Sequence, residues 1–167
     1  MNNYYDTISE SYDELHGTEQ QRKFVVVKHF LRGNILDVGC GTGVVWKTDL
    51  RLGTSDLKLE TWDVTGIDPS KELLKKAKHI KTVLGSGEEL PFPDDSFDTV
   101  TCFTAIHNFD DYKKGLEEMK RVSKDVVIVT VLKKSAKREE IGEEITRLFK
   151  NVKVINDVTD DVYMCEK

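Results

Sequence analysis

The sequence has few of the residues that crosslink a chain or carry it through a membrane. Its three cysteines, Cys40, Cys102 and Cys165, form no CxxC pair and no cysteine–histidine ligand spacing, which argues against a disulfide framework and a structural zinc site. Apolar runs are much shorter than the roughly 18 residues of a membrane span, and the polar, acidic residues 1–15 are unlike a signal peptide. We therefore expect one cytoplasmic domain over residues 1–167, with no metal.

Basic charge is also in deficit, since 25 lysines and arginines face 30 aspartates and glutamates and give a net charge of −5. General nucleic-acid binding depends on clustered basic residues that neutralise phosphates, so this composition argues against it. One segment differs: residues 113–138 carry nine lysines and arginines against three acids. Lys137 and Arg138 begin a predicted helix whose macrodipole disfavours positive charge, so they need solvent screening or an anion. The segment is compatible with an anionic substrate, and it is also compatible with an ordinary lysine face in contact with solvent.

Helical spacing of apolar residues alternates along the chain with short β-branched runs. This alternation is typical of a parallel sheet with helices on both faces. The last two runs are close enough in sequence to pair as an antiparallel hairpin. The predicted strands are residues 35–38, 64–67, 81–84, 97–104, 125–132, 152–155 and 162–165. The predicted helices are residues 19–32, 69–80 and 110–122 and a last helix after Ser135, which is marked by Ile141, Ile145, Leu148 and Phe149.

A glycine motif follows the first predicted strand and opens a helix. Asp37 precedes Gly39, Gly41 and Gly43, and such glycines let a backbone turn tightly and approach a nucleotide-like ligand. The dinucleotide-binding motif GxGxxG needs its third glycine at position 44, which is Val44 here. The motif therefore favours a ligand without a pyrophosphate, and Asp37 is the candidate to bind an amino group directly or through water. The alternative is a tight glycine turn above a buried aspartate.

Asp68 ends the second predicted strand, 25 residues after Gly43. An acid near this point of a nucleotide-binding βαβ unit holds ribose hydroxyls, and a carboxylate can accept hydrogen bonds from both. The alternative is that Asp68 caps the helix that begins at Pro69.

Three segments, taken in order, resemble class I S-adenosylmethionine (SAM) dependent methyltransferases, and among them the ubiquinone-biosynthesis and small-molecule branch. The resemblance implies an α/β fold, a Rossmann-like three-layer sandwich. Its seven-stranded, mostly parallel sheet has the strand order 3-2-1-4-5-7-6, with strand seven antiparallel. The segments are ILDVGCGTG at 35–43, GIDPS at 66–70 and GEELPFPDDSFD at 87–98, joined by YYD at 4–6, YD at 12–13 and IHNF at 106–109.

The resemblance also implies a SAM site at the carboxyl ends of strands one, two and four. The family often has an acid for the adenine amino group where this chain has Ser86, and the usual Pro-Gly-Gly before strand five is missing. Residues 1–18 are the candidate lid helix, in which Tyr5 and Tyr12 either close over SAM or anchor the helix. The other implied contacts are Gly39, Gly41 and Gly43 with the methionine and ribose, Asp68 and Pro69 with the ribose, Gly87 and Glu88 beside adenine, and Phe103 and Thr104 at the methyl end.

Methyl transfer is an in-line displacement that depends on alignment in a dry site, so a base is optional. His107 is the candidate base, since an imidazole near the end of strand four can take a proton from the acceptor. The alternative is a structural histidine at a helix entry. The predicted function is transfer of a methyl group from SAM, which leaves S-adenosylhomocysteine, to a small molecule. An RNA or protein acceptor, a non-catalytic SAM-binding role, and a monomer or homodimer all stay open.

Overall fold

The computed structural model describes residues 12–47 and 62–167, and for residues 12–17 only the course of the backbone. In these residues seven strands form one sheet, in the order β3-β2-β1-β4-β5-β7-β6. Strands β1 to β5 are parallel, and β7 runs antiparallel to both β5 and β6. The expected strand order and fold class are therefore confirmed. The strands are β1 Asn34–Val38, β2 Asp63–Asp68, β3 Lys81–Leu84, β4 Phe97–Phe103, β5 Ser123–Leu132, β6 Lys150–Asn156 and β7 Asp160–Glu166.

The helices depart from the predicted ranges in places. They are α1 Tyr12–Val27, α2 Lys71–Leu74, α3 Tyr112–Val122 and α4 Arg138–Leu148. Helix α1 begins before the predicted residue 19, and a 3₁₀ turn, Lys28–Phe30, replaces its predicted end. None of the helices in the described ranges is long and apolar enough to cross a membrane.

The predicted helix over residues 69–80 is wrong beyond its first turn. Helix α2 is four residues long, and Ser70 caps it by accepting a hydrogen bond from the Leu73 amide at 3.3 Å. After it the amides bond to carbonyls three residues back, as in Ala77 to Leu74 and Ile80 to Ala77, which tightens the chain into 3₁₀-like turns. This tightening brings His79 Nε2 to 2.8 Å from the Gly43 carbonyl oxygen.

The segment after the glycine motif also differs from the prediction. A 3₁₀ turn, Val44–Trp46, follows Gly43 where a helix was expected to open. The three residues of this turn are buried, and no α-helix occurs between Gly43 and Lys47. Residues 48–61 lie outside the described part of the chain.

Two apolar cores cover the two faces of the sheet, and β5 contributes to both. Val127 and Val129 belong to the core under α3 and α4, whereas Val126 and Ile128 belong to the core under α1. This alternation is the period of two expected of a central strand buried on both faces. On the α1 side, Phe24 meets the rings of Trp46 and Trp62 edge to face at 5.7 and 5.4 Å. The helix is thus fixed against the residues that follow the glycine loop.

Candidate functional site

A cleft of about 320 Å³ opens at the carboxyl ends of β1, β2 and β4. The chain order reverses beside β1, and such switch points of parallel sheets are where ligands bind. The volume is within the range of small-molecule sites. Eight residues predicted from the sequence line this cleft: Gly39, Gly41, Asp68, Pro69, Gly87, Glu88, Phe103 and Thr104.

The glycine loop forms one lip of the cleft. Gly39, Gly41 and Gly43 have φ angles of 74°, 55° and 68°, in the left-handed region that favours glycine. A Cβ atom on Gly39 would lie 2.5 Å from the Cβ of Ala105, in the turn after β4. The loop and this turn are therefore in close contact, and position 39 has no room for a side chain.

Gly43 differs from the other two glycines because it does not line the cleft. Its carbonyl oxygen contacts His79 Nε2, and a Cβ on Gly43 would lie 3.1 Å from that same nitrogen. The structure therefore gives Gly43 a role in closing the loop against residues 77–80, and its contact with the ligand stays a prediction.

Asp68 is the buried carboxylate of the cleft. Its Oδ2 accepts a hydrogen bond from the Gly41 amide at 2.9 Å, and its Oδ1 accepts one from the Ser70 amide at 2.8 Å. These two bonds fix the carboxylate at the end of β2. A carboxylate can accept several hydrogen bonds at once, and the contact of Asp68 with ribose hydroxyls stays a prediction. The alternative role as helix cap is wrong, because Ser70 fills it.

Asp37 lies beneath the glycine loop and does not line the cleft. Its Oδ2 accepts from Trp46 Nε1 and its Oδ1 from the Thr101 hydroxyl, both at 2.8 Å. Burial raises the pKa of Asp37 to about 7; the two hydrogen bonds oppose this effect and the charge of Asp68 adds to it. The structure thus places Asp37 as a support of the loop, and its contact with an amino group stays a prediction.

The opposite end of the cleft, where adenine was expected, is closed by Phe109. A Cβ on Gly87 would lie 2.4 Å from the Phe109 ring, so the ring fits only against a glycine. Glu88 Oε1 accepts from the Asp110 amide at 2.9 Å, and Glu88 Oε2 accepts from the Ser86 hydroxyl. Ser86, at the position where the family often has an acid, thus donates a hydrogen bond to Glu88. Phe109 lines the cleft but was not predicted as a site residue, although it lies within the IHNF segment.

Thr104 marks the other end of the cleft, where the methyl group was expected. It follows β4 with a φ of 51°, and its hydroxyl accepts a hydrogen bond from Lys23 Nζ at 2.6 Å. Lys23 is fully buried and forms ion pairs with Asp160 and Glu19, each at 2.7 Å. No sequence signal identified Lys23 or Asp160, because 137 residues separate them and lysines in helices usually face solvent.

His107 lies in a 3₁₀ turn, Ile106–Asn108, directly beside residues of the cleft but not in its lining. Burial lowers its pKa, Asp160 opposes this effect, and the charges of Lys23 and Lys137 add to it. The lowered pKa favours the neutral imidazole, which is the form that can act as a base. Its buried Nδ1 has no hydrogen-bond partner, a property shared in the described residues only with Oε1 of Gln20.

Most of the lysines and arginines in residues 113–138 contact other groups of the protein. Arg138 forms an ion pair with Asp161 at 2.6 Å, and Lys133 donates to the Asn156 side chain and to the Asp157 carbonyl. The anion required at the start of α4 is therefore supplied by Asp161. An anionic acceptor stays a prediction that these contacts weaken.

The lid expected over residues 1–18 also stays a prediction. Tyr5, with the rest of residues 1–11, lies outside the described residues, and so does the Tyr12 side chain.

Comparison with known proteins gives matches along most of the chain. A family model described as a methyltransferase domain matches residues 36–131. The chain is 34% identical over 160 residues to a demethylmenaquinone methyltransferase of Staphylococcus aureus, an alignment that covers 87% of this chain. It is also 34% identical over 152 residues to a ubiquinone/menaquinone biosynthesis C-methyltransferase of Geotalea daltonii, with 80% of this chain covered. The matches span 64% and 63% of those two relatives.

Solved structures share the fold. A SAM-dependent methyltransferase of Thermotoga maritima, described as a possible histamine N-methyltransferase, superposes with a TM-score of 0.74 at 20% identity over the whole of both chains. The magnesium protoporphyrin IX methyltransferase of Synechocystis, solved with bound SAM, gives a TM-score of 0.66 at 13% identity over 100% of this chain and 85% of that one. Identities this low establish the fold alone.

Proposed function

The chain belongs to the methyltransferase domain family, and on that premise we propose that it moves a methyl group from SAM to a ring carbon of a small, hydroxylated acceptor of the quinol type. The acceptor class is taken from the relatives, whose names specify demethylmenaquinone and C-methylation. Because the chain spans under two thirds of those relatives, its activity needs the direct test given below.

The observation that carries the proposal is the charge of the cleft. Its lining contains Asp68, Glu88 and Asp110 and, among the residues described there, no lysine or arginine. SAM carries a positive sulfonium, whereas a dinucleotide carries two negative phosphates. A cleft lined by carboxylates attracts the first and repels the second. The same charge opposes an RNA acceptor, which needs basic partners for its phosphates.

The residues of the cleft also fit the parts of SAM. Asp68 offers acceptor positions to the ribose hydroxyls, and the backbone at Gly39 and Gly41 lets the methionine part approach closely. Gly87 and the Phe109 ring form the wall at the adenine end. When bound, SAM supplies a methyl carbon on a positively charged sulfur and leaves as neutral S-adenosylhomocysteine.

His107 is the group that activates the acceptor in this proposal. Loss of a proton from a ring hydroxyl raises the electron density at the neighbouring ring carbon, which is the nucleophile in C-methylation. A neutral imidazole can take that proton, and the lowered pKa of His107 keeps it neutral. The methylated carbon then loses its own ring proton to solvent, which restores the aromatic ring.

The direct test uses methyl-labelled SAM and a short-chain demethylmenaquinol kept reduced. We expect label on a ring carbon and one S-adenosylhomocysteine per methyl transferred. The oxidised quinone, which has no hydroxyl to deprotonate, serves as the control and should stay unlabelled. Absence of SAM binding by calorimetry would reject the cofactor, whereas SAM binding without product would reject the quinol acceptor.

A further inference from the structure

A fully buried lysine contacts the wall of the cleft from behind. Lys23 Nζ, on α1, contacts Asp160 Oδ2 at 2.7 Å and the Thr104 hydroxyl at 2.6 Å. The Asp160 side chain is also fully buried, and its Oδ1 accepts from the same hydroxyl at 3.0 Å. An ion pair between α1 and β7 therefore holds one side chain of the turn after β4.

Thr104 is held in an unusual backbone conformation. Its φ of 51° lies in the left-handed region, which is rare for a β-branched residue and persists only where the surroundings impose it. The Thr104 amide donates to the Thr130 hydroxyl at 2.8 Å, and the Thr104 hydroxyl lies between Lys23 and Asp160. These contacts impose the conformation on a residue that lines the cleft.

A contribution to stability does not by itself explain the buried ion pair of Lys23 and Asp160. Lysine is almost never fully buried, and a buried ion pair is often no more stabilising than apolar side chains of the same volume. A second ion pair, Arg22 with Asp157 at 3.1 Å, already joins α1 to the chain before β7 on the solvent side. The buried pair therefore has a more specific role than docking the helix.

Thr104 directly precedes the residue through which the turn after β4 contacts the glycine loop. Its neighbour Ala105 is so close to the glycine loop that a Cβ on Gly39 would lie 2.5 Å from the Ala105 Cβ. A shift of the turn at 104–105 would therefore move the β4 side of the cleft relative to the loop. Phe103 and Thr104 are the residues expected at the methyl end.

We propose that the Lys23–Asp160 ion pair is a positioning element, which fixes Thr104 and thereby sets the geometry of the cleft at the methyl group of SAM. This inference rests on the proposed function, because it assumes that SAM occupies the cleft. Lys23 and Asp160 act through Thr104 and touch neither the cofactor nor the acceptor. The pair should then govern how the protein distinguishes SAM from S-adenosylhomocysteine, which lacks only the methyl group and its charge.

The test compares the dissociation constants of SAM and S-adenosylhomocysteine by calorimetry, which requires no acceptor. Thr104→Val removes the hydroxyl at constant shape, and Thr104→Ser retains it. The double variant Lys23→Met/Asp160→Leu removes one positive and one negative charge, so it keeps the net charge of the cluster while the contacts of both residues with Thr104 are lost. Arg22→Met, which breaks the solvent-side ion pair of the same helix, is the matched control.

We expect Thr104→Val and the double variant to weaken SAM relative to S-adenosylhomocysteine by about fivefold or more, since small misplacements at a reacting centre have large effects. In Thr104→Ser and Arg22→Met, the ratio of the dissociation constants of SAM and S-adenosylhomocysteine should stay within about twofold of the wild-type ratio, because the positioning contacts remain. A folded double variant with the wild-type ratio would overturn the proposal. If that variant does not fold, equal ratios for Thr104→Val and Thr104→Ser would overturn it instead. A wild-type protein that binds neither ligand would reject the proposed function itself.

Discussion

The indole Nε1 of Trp46 donates a hydrogen bond of 2.8 Å to Oδ2 of Asp37, beneath the glycine loop. Trp46 follows the loop and Asp37 precedes it, so this bond closes the segment on itself. The carboxylate is 2% exposed and its pKa is raised to about 7. The acid that supports the glycine loop therefore has a pKa near neutral pH.

This raised pKa predicts a pH-dependent stability. Because the folded protein binds the Asp37 proton more tightly than the unfolded chain does, the free energy of unfolding should fall as pH rises from about 4 to about 7. Each tenfold difference in proton affinity between the two states corresponds to about 1.4 kcal/mol. Urea unfolding of the wild type and of Asp37→Asn across this range measures the effect, and the variant should lack this part of the decline. Parallel pH profiles for the two proteins would contradict the assignment.

Asp68→Ala should weaken SAM binding by about 1 to 3 kcal/mol, because buried hydroxyl donors lose a charged acceptor. The Gly41 amide also loses its partner, so the loop contributes to the loss. Calorimetry measures the change. Asp63→Ala, at the exposed start of β2 where Asp63 pairs with Lys81, is the control and should bind SAM like the wild type. Equal affinities for the two variants would exclude Asp68 as a ligand.

Gly39→Ala should reduce SAM affinity by more than tenfold while the protein stays folded. The new Cβ would meet the Ala105 Cβ at 2.5 Å, and the φ of 74° is strained for alanine. Adding Ala105→Gly removes the clash but leaves the strain, so the double variant should recover part of the affinity. Circular dichroism checks the fold and calorimetry the binding. Wild-type affinity in Gly39→Ala would mean that the loop does not approach the ligand.

The family and the order of the seven strands could be predicted, because the glycine motif, Asp68 and the segment after Gly87 are local in sequence. Helix α2 was predicted too long because the apolar spacing of residues 73–80 is that of a helix, whereas the folded chain forms tighter turns there, which place His79 against Gly43. Tertiary packing overrides local propensity in such cases.

The ion pair behind Thr104 could not be predicted for a different reason. Lys23 looks like an ordinary polar residue of an amphipathic helix, and its partner Asp160 lies at the start of the last strand. Only the folded chain brings them together. The hydrogen bonds that Trp46 and Thr101 donate to Asp37 likewise form only in the folded chain, and a contact of Asp37 with the ligand stays a prediction.

Gln20→Leu should raise the free energy of unfolding. The Gln20 side chain is buried and its Oε1 has no hydrogen-bond partner, and an unsatisfied buried polar atom costs about 1 to 3 kcal/mol. Chemical denaturation measures the difference. Gln21→Leu, on the adjacent, half-buried position of α1, is the control and should change stability less. A destabilised Gln20→Leu protein would show that the Gln20 oxygen is satisfied in solution.

His107 should control the acidic limb of the pH profile of kcat/KM, which reports groups of the free enzyme. Burial lowers its pKa, and the positive charge of Lys137 adds to that effect. Activity should therefore persist at pH values below the ordinary pKa of histidine, and it should fall at lower pH as the imidazole becomes protonated. Removing the nearby charge with Lys137→Met should move this limb to higher pH.

Lys134→Met is the control for that change, because Lys134 is exposed and does not contribute to the His107 pKa. Its profile should match that of the wild type.

His107→Gln should lower kcat by about 10² to 10⁴, the usual contribution of a general base. It should also remove the acidic limb of the pH profile while SAM affinity is retained. If His107→Gln keeps both the rate and the limb, His107 is a structural residue of the 3₁₀ turn and the acceptor's proton leaves by another route.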